Sequence, residues 1–214
     1  MLKRGIQPHV TLYHWDLPEA LQAQGGWMAP ETVAHFVRYA RRIGALLGDR
    51  VATIATHNEP WVVATLGHQQ GIFAPGMRDR AAAAQVSHHL LLSHGEALQA
   101  LRSDGLKARL GIVLNQAPVH AATALQEDRV RARLEDGELV RWYMDPLFKG
   151  EYPADVLEHL GADAPVVRAG ELESIRQPLD FLGINYYTRN LADESGRSEE
   201  HTSELQSHSF ISYA

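Results

Sequence analysis

The chain has 214 residues, 45% apolar and 21% charged, with a net charge of −6 and no cysteine. These values exclude disordered, fibrous and coiled-coil polypeptides, and the negative sign argues against partners that are nucleic acid or an anionic membrane. Without cysteine there is no disulfide, thiolate metal site, iron–sulfur cluster or thiol nucleophile. No run approaches the roughly 20 apolar residues that span a bilayer. The basic start, Met1 to Arg4, lacks the apolar stretch of a signal peptide. The expectation is therefore a soluble, cytoplasmic α/β domain.

His9 to His14 is a β-branched and aromatic run entered through Pro8 and closed by Asp16-Leu17-Pro18, which predicts a strand. Pro30 suits a first helical turn, and Val33, Phe36, Val37, Ala40, Ile43 and Leu47 recur at three- and four-residue steps up to Gly48 as a C-cap. Val51 to Thr56 reads as a second strand, ending in His57-Asn58-Glu59-Pro60. A Gly- and Pro-rich loop then runs through Ala74-Pro75-Gly76. Ala81 to Leu101 is the strongest helix, stopping near Gly105, and Leu110 to Asn115 is the third strand. Polar helices follow between about Glu127 and Phe148, then an irregular stretch from Gly150 to Pro178. Phe181 to Tyr187 is the fourth strand.

All four strands are apolar along their length, as in a parallel sheet covered by helices. Polar and aromatic residues gather at their C-terminal ends, the face that carries the active site of a (β/α)8 TIM barrel. A doubly wound sheet fits the same alternation, but no G-x-G-x-x-G or P-loop follows any strand. The barrel is the better reading. About four β/α units are present, so the chain reads as a partial barrel with open edges at the strands around Thr11 and Ile184. Residues 1–196 form this barrel segment. Residues 197–214 are expected to form no domain, because Arg197 to His208 and Ile211 to Ala214 resemble the in-frame translation of a sequencing adapter.

The chemistry lies at the strand ends. A carboxylic acid at the end of a buried strand is partly desolvated, which raises its pKa towards values useful for general acid work, and Glu59 occupies such a place. The Asn58 amide beside it is suited to orienting a substrate hydroxyl. His14 and Trp15 leave the first strand at the same level, offering an imidazole and an indole on which a sugar stacks. Asn185-Tyr186-Tyr187 ends the fourth strand. Each cluster alone has a packing explanation; three on one face point to a site.

Thr11 to Pro18, Thr56 to Pro60 and Phe181 to Tyr187 together resemble glycoside hydrolase family 1, the β-glucosidases. Gly25-Gly26-Trp27, Ala74-Pro75-Gly76 with Asp79, His88 to Leu92, and Trp142 with Asp145-Pro146 match in the same order. The resemblance implies strands 3 to 6 of an eight-stranded retaining glycosidase that acts on small β-glucosides or oligosaccharides without metal or cofactor. It implies that Glu59 is the general acid/base, that Asn58 bonds the sugar 2-hydroxyl and that His14 and Trp15 line the glycone pocket. Tyr187 matches the tyrosine that bonds the nucleophile, with Asn185 in support. Ile54 stands where the family usually has Trp, at a packing position. The family's nucleophile, a Glu in Thr/Ser-Glu-Asn-Gly, has no counterpart in the 214 residues, so the chain by itself is expected to be inactive. The alternative is a non-catalytic sugar-binding protein. A metal-dependent hydrolase is disfavoured because His88, His89 and His94 fall inside a predicted helix.

Overall fold

A computed structural model describes residues 1–193 and the backbone of 199–200. After a short 3-10 turn, β1 (His9–Tyr13) leads through α1 (Glu19–Gln22) and a Gly26–Met28 turn to α2 (Glu31–Leu47). Then come β2 (Thr53–Asn58), a π-helix over Val62–Gln69, α3 (Arg80–Ser103) and β3 (Arg109–Asn115). A short β4 (Val119–Ala121) precedes α4 (Gln126–Asp136), a π-helical turn over Gly137–Arg141 and α5 (Trp142–Phe148). The chain continues through α6 (Ala154–Leu160), α7 (Glu171–Ile175), β5 (Phe181–Asn185), β6 (Asn190–Ala192) and β7 (Glu199–Glu200).

The main sheet has the order β1-β2-β3-β5, with all neighbours parallel, so β1 and β5 are its outer strands. A smaller sheet pairs β6 with β4 in parallel and with β7 antiparallel. Apart from the Glu199–Glu200 backbone, residues 197–214 lie outside the described residues.

Local chemistry explains the helix limits. The Asp79 side chain accepts from the Ala82 N–H at 3.0 Å, capping α3, and Gly105 beyond its end takes φ +77°. Gly48 after α2 differs from expectation: its φ of −61° stays right-handed. Glycine is needed there for space, because a Cβ would lie 2.0 Å from Leu106 Cδ1 and 2.5 Å from the Gly44 carbonyl oxygen.

Two buried clusters cover the sheet. Leu12, Phe36, Ile54, Val86, Leu90 and Leu110 join β1, β2 and β3 to α2 and α3. Leu91, Ile112, Leu114, Trp142, Tyr143 and Ile175 join α3 and β3 to α5 and α7. Fully burying each aliphatic side chain contributes about 1.5–3 kcal/mol, which outweighs the modest helical preference of these short segments. Helix α7 lies close against α3 at Gly95, where a Cβ would come 1.9 Å from the Ser174 carbonyl oxygen.

Two stretches read as irregular are helical. Val62–Gln69 winds as a π-helix where a loop was expected, and the span from Gly150 to Pro178 contains α6 and α7. In both, packing against α3 or its neighbours overrides weak local periodicity. Among the described residues no helix is long and apolar enough to cross a membrane.

Candidate active site

Strand β2 lies inside the sheet, and all six of its residues are buried. Its pairing with β3 slips between Ala55 and Asn58, an irregularity of the kind that re-aims side chains at strand ends. Past the slip, the Glu59 N–H donates to the Val113 carbonyl at 2.8 Å, holding the residue after the strand to β3. Glu59 has φ +47° and Trp15 has φ +75°, and these are the only non-glycine residues with positive φ among those described. Such backbone costs on the order of 1–3 kcal/mol per residue and persists where the surroundings enforce it. Both lie just beyond the C-terminal ends of adjacent strands.

A hydrogen-bonded chain joins three strand ends. Asn185 Nδ2 donates to Glu59 Oε1 at 2.5 Å and to Asn58 Oδ1 at 3.1 Å. Asn58 Nδ2 lies 3.2 Å from His14 Nε2; because an amide nitrogen only donates, that ring nitrogen is the acceptor. Trp15 Nε1 donates to the Asn58 carbonyl at 2.8 Å, and the His14 N–H to Asp16 Oδ1 at 3.2 Å. Asn185 sits on β5, two strands from β2, so these bonds require the sheet to curl. Gly111 on the intervening strand permits close approach, since a Cβ there would meet the Phe181 carbonyl oxygen at 2.2 Å.

Glu59 is 5% exposed. Burial raises its pKa above the usual carboxyl value, while the Asn185 donor and the nearby His14 pull it partly back. The residues beneath are tied to α2 and α3. His57 is fully buried, stacked on Phe36 at 4.4 Å, and its Nε2 lies 2.8 Å from Ser93 Oγ. Ser93 gives its own hydroxyl proton to the Leu90 carbonyl, so His57 Nε2–H is the donor of that pair. Thr56 Oγ1 meets His94 Nδ1 at 2.7 Å, a second tie from β2 to α3.

The structure thus brings Glu59, Asn58, His14, Trp15 and Asn185 together. Tyr187 lies beyond the end of β5 and is 58% exposed; its phenol pKa is raised by partial desolvation first and by the charge of Glu59 second. Trp15, expected as a stacking platform, has its indole N–H committed to Asn58, and its ring meets His14 at 4.9 Å and Phe73 at 5.9 Å. Phe73, 44% exposed, was not among the residues singled out; its signal was an aromatic in a Gly- and Pro-rich segment. His88, His89 and His94 lie inside α3 and are buried, and among the described residues no three His, Asp or Glu side chains are grouped to hold a metal ion.

The model of glycosyl hydrolase family 1 matches residues 1–212. The chain is 43% identical over 193 residues to a β-glucosidase of Agrobacterium sp., covering 90% of this chain and 42% of that protein. It is 41% identical over 201 residues to β-glucosidase A of Acetivibrio thermocellus, covering 93% and 45%. The crystal structure of a β-glucosidase from Exiguobacterium marinum superposes with a TM-score of 0.88 at 38% identity, over 95% of this chain and 48% of that one. The chain spans less than half the length of these relatives, and its four-stranded parallel sheet with its helices is a partial (β/α)8 barrel. On the family match and the shared fold, the chain belongs to glycosyl hydrolase family 1.

Proposed function

We propose that the complete barrel to which these strands belong hydrolyses terminal β-D-glucosyl residues with retention, and that Glu59 is its general acid/base. The observation that carries this reading is the Glu59 carboxyl itself: buried, raised in pKa, held by Asn185 and fixed on strained backbone at a strand end. The raised pKa favours the protonated carboxyl that gives its proton to the departing oxygen, and the resulting carboxylate then takes a proton from attacking water. Asn58, tied to both His14 and Asn185, is placed to bond the sugar hydroxyl beside the reacting carbon, with His14 and Trp15 along the glycone. Tyr187, beyond the end of β5, is in this reading the phenol that bonds the nucleophile.

A retaining mechanism needs a second carboxyl roughly 5–5.5 Å from the first. The Thr/Ser-Glu-Asn-Gly motif that would provide it does not occur in the 214 residues, so in this reading the chain alone has no turnover. Residues 197–214 are in this reading no part of the barrel, and the protein works in the cytoplasm. The test is Glu59→Gln in a protein carrying the complete barrel. Turnover of cellobiose, whose leaving group needs protonation, should fall by roughly 10²–10⁴-fold, while glycosylation by activated aryl glucosides persists. Unchanged rates on cellobiose would remove Glu59 from the role.

A further inference from the structure

Just before the site, β2 meets α3 through polar side chains. Thr56, His57, Ser93 and His94 are all fully buried, in a helix that also buries Leu90, Leu91 and Leu98. They are joined in two pairs, Thr56 Oγ1 with His94 Nδ1 at 2.7 Å and His57 Nε2 with Ser93 Oγ at 2.8 Å. Apolar side chains would fill that space with no polar group to satisfy. Buried polar pairs that find each other instead fix one arrangement of the elements they join.

The two pairs coincide with the slip in the sheet. Strand β2 runs from Ala55 to Asn58 while β3 runs only from Gly111 to Val113, so β2 holds an extra residue there. Successive side chains of a regular strand point to opposite faces. Thr56 and His57 depart from that rule, since both reach α3, at the successive residues His94 and Ser93. Phe36 of α2 stacks on the His57 ring at 4.4 Å and keeps it on the helix side. With regular alternation, Thr56 towards α3 would send Asn58 towards α3 as well. The departure turns Asn58 the other way, and Asn58 and Glu59 meet Asn185 of β5 instead.

We infer that Thr56, His57, Ser93 and His94 are positioning residues, whose two hydrogen bonds hold the irregularity of β2 and so aim Asn58 and Glu59 away from the helices and towards Asn185. The catalytic consequence rests on the reading of Glu59 as the acid/base; the structural one rests on the bonds themselves. Among the described residues none of the four side chains bonds to Asn185 or His14, the side chains that act directly on the Glu59 carboxyl. Their effect on Glu59 therefore runs through the backbone of β2.

The experiment compares three variants of a protein carrying the complete barrel: Thr56→Val, which keeps the branched shape and removes the hydroxyl, Ser93→Ala, and the conservative Thr56→Ser. For each, kcat/KM on cellobiose is followed against pH, and the Glu59 carboxyl is titrated by infrared difference against Glu59→Gln. Loss of a tie in Thr56→Val or Ser93→Ala should admit water to Glu59 and lower its pKa. The alkaline limb on cellobiose should then move to lower pH, with the rate falling roughly tenfold or more. Thr56→Ser should keep the limb of the unaltered protein. If Thr56→Val does not fold, Ser93→Ala decides. A limb and a carboxyl titration that stay in place in the tie variants would overturn the inference even if rates fall, because loss of folded protein lowers the rate and moves neither. Glu59→Gln keeps the two readings apart. Were its cellobiose turnover unchanged, the acid/base role would fail, and the carboxyl titration of the tie variants would still decide the positioning.

Discussion

The ends of β2 and β5 carry two of the three motifs of the site, and the molecule treats them differently. The end of β2 is buried, with β1 and β3 as neighbours, two side-chain ties to α3 below and Asn185 across the curl of the sheet. The end of β5 borders one strand; Asn185 is buried, while Tyr186 and Tyr187 are 60% and 58% exposed and Ile184 is 50% exposed. Glu59 is fixed by backbone neighbours on both sides, whereas Asn185 on the outer strand is placed by its side-chain bonds to Glu59 and Asn58.

The largest expected effect follows from that contrast. Ile112→Ala in β3, at a fully buried position, should destabilise the chain by about 2–5 kcal/mol, whereas Ile184→Ala on the outer strand should cost less than about 1 kcal/mol. Urea unfolding of the two variants measures the difference, and equal losses would break the comparison.

Acid should act on the β2 side next. Burial lowers the His94 pKa from 6.5 to about 3 and lowers His57 well below 6.5. The unfolded chain takes up protons near pH 6.5 while the folded chain does not, so stability is complete above that pH and falls as pH drops towards 3. For His94 alone the loss at pH 5 is roughly 2 kcal/mol. Unfolding midpoints at pH 7 and pH 5 should show it, with a smaller difference in His94→Gln.

A smaller and more local effect concerns the link between the two ends. The Asn185 amide lowers the Glu59 pKa that burial raises, so Asn185→Ala should move that pKa further up. Carboxyl titration followed by infrared or NMR reads this directly. A downward shift would mean that the 2.5 Å bond does not hold the carboxylate.

Much of this was legible in the sequence because it is periodic or punctuated. The four strands of the main sheet and α3 stand within a few residues of expectation, since β-branched runs and apolar steps of three and four mark them. The π-helix after Pro60 was not legible: Gly67 there fits under the Ala74 carbonyl, where a Cβ would sit at 2.6 Å, a contact local propensity does not encode. The β4 to β6 pairing joins segments some seventy residues apart, and each strand is only three residues long. At the site, residue types at strand ends announced Glu59, Asn58 and His14. Neither the positive φ of Trp15 nor its bond to the Asn58 carbonyl had a signal, because both arise from how β1 and β2 meet.

The most direct measurement of the central claim is the anomeric configuration of the product formed by Glu59→Ala, in the complete barrel, from an activated aryl β-glucoside with added azide. If Glu59 is the acid/base, the nucleophile still forms the α-linked glycosyl-enzyme. Azide then enters the space left by the missing base and displaces it to give the β-glucosyl azide. An α-glucosyl azide would mean a single direct displacement, making Glu59 the nucleophile and contradicting the account.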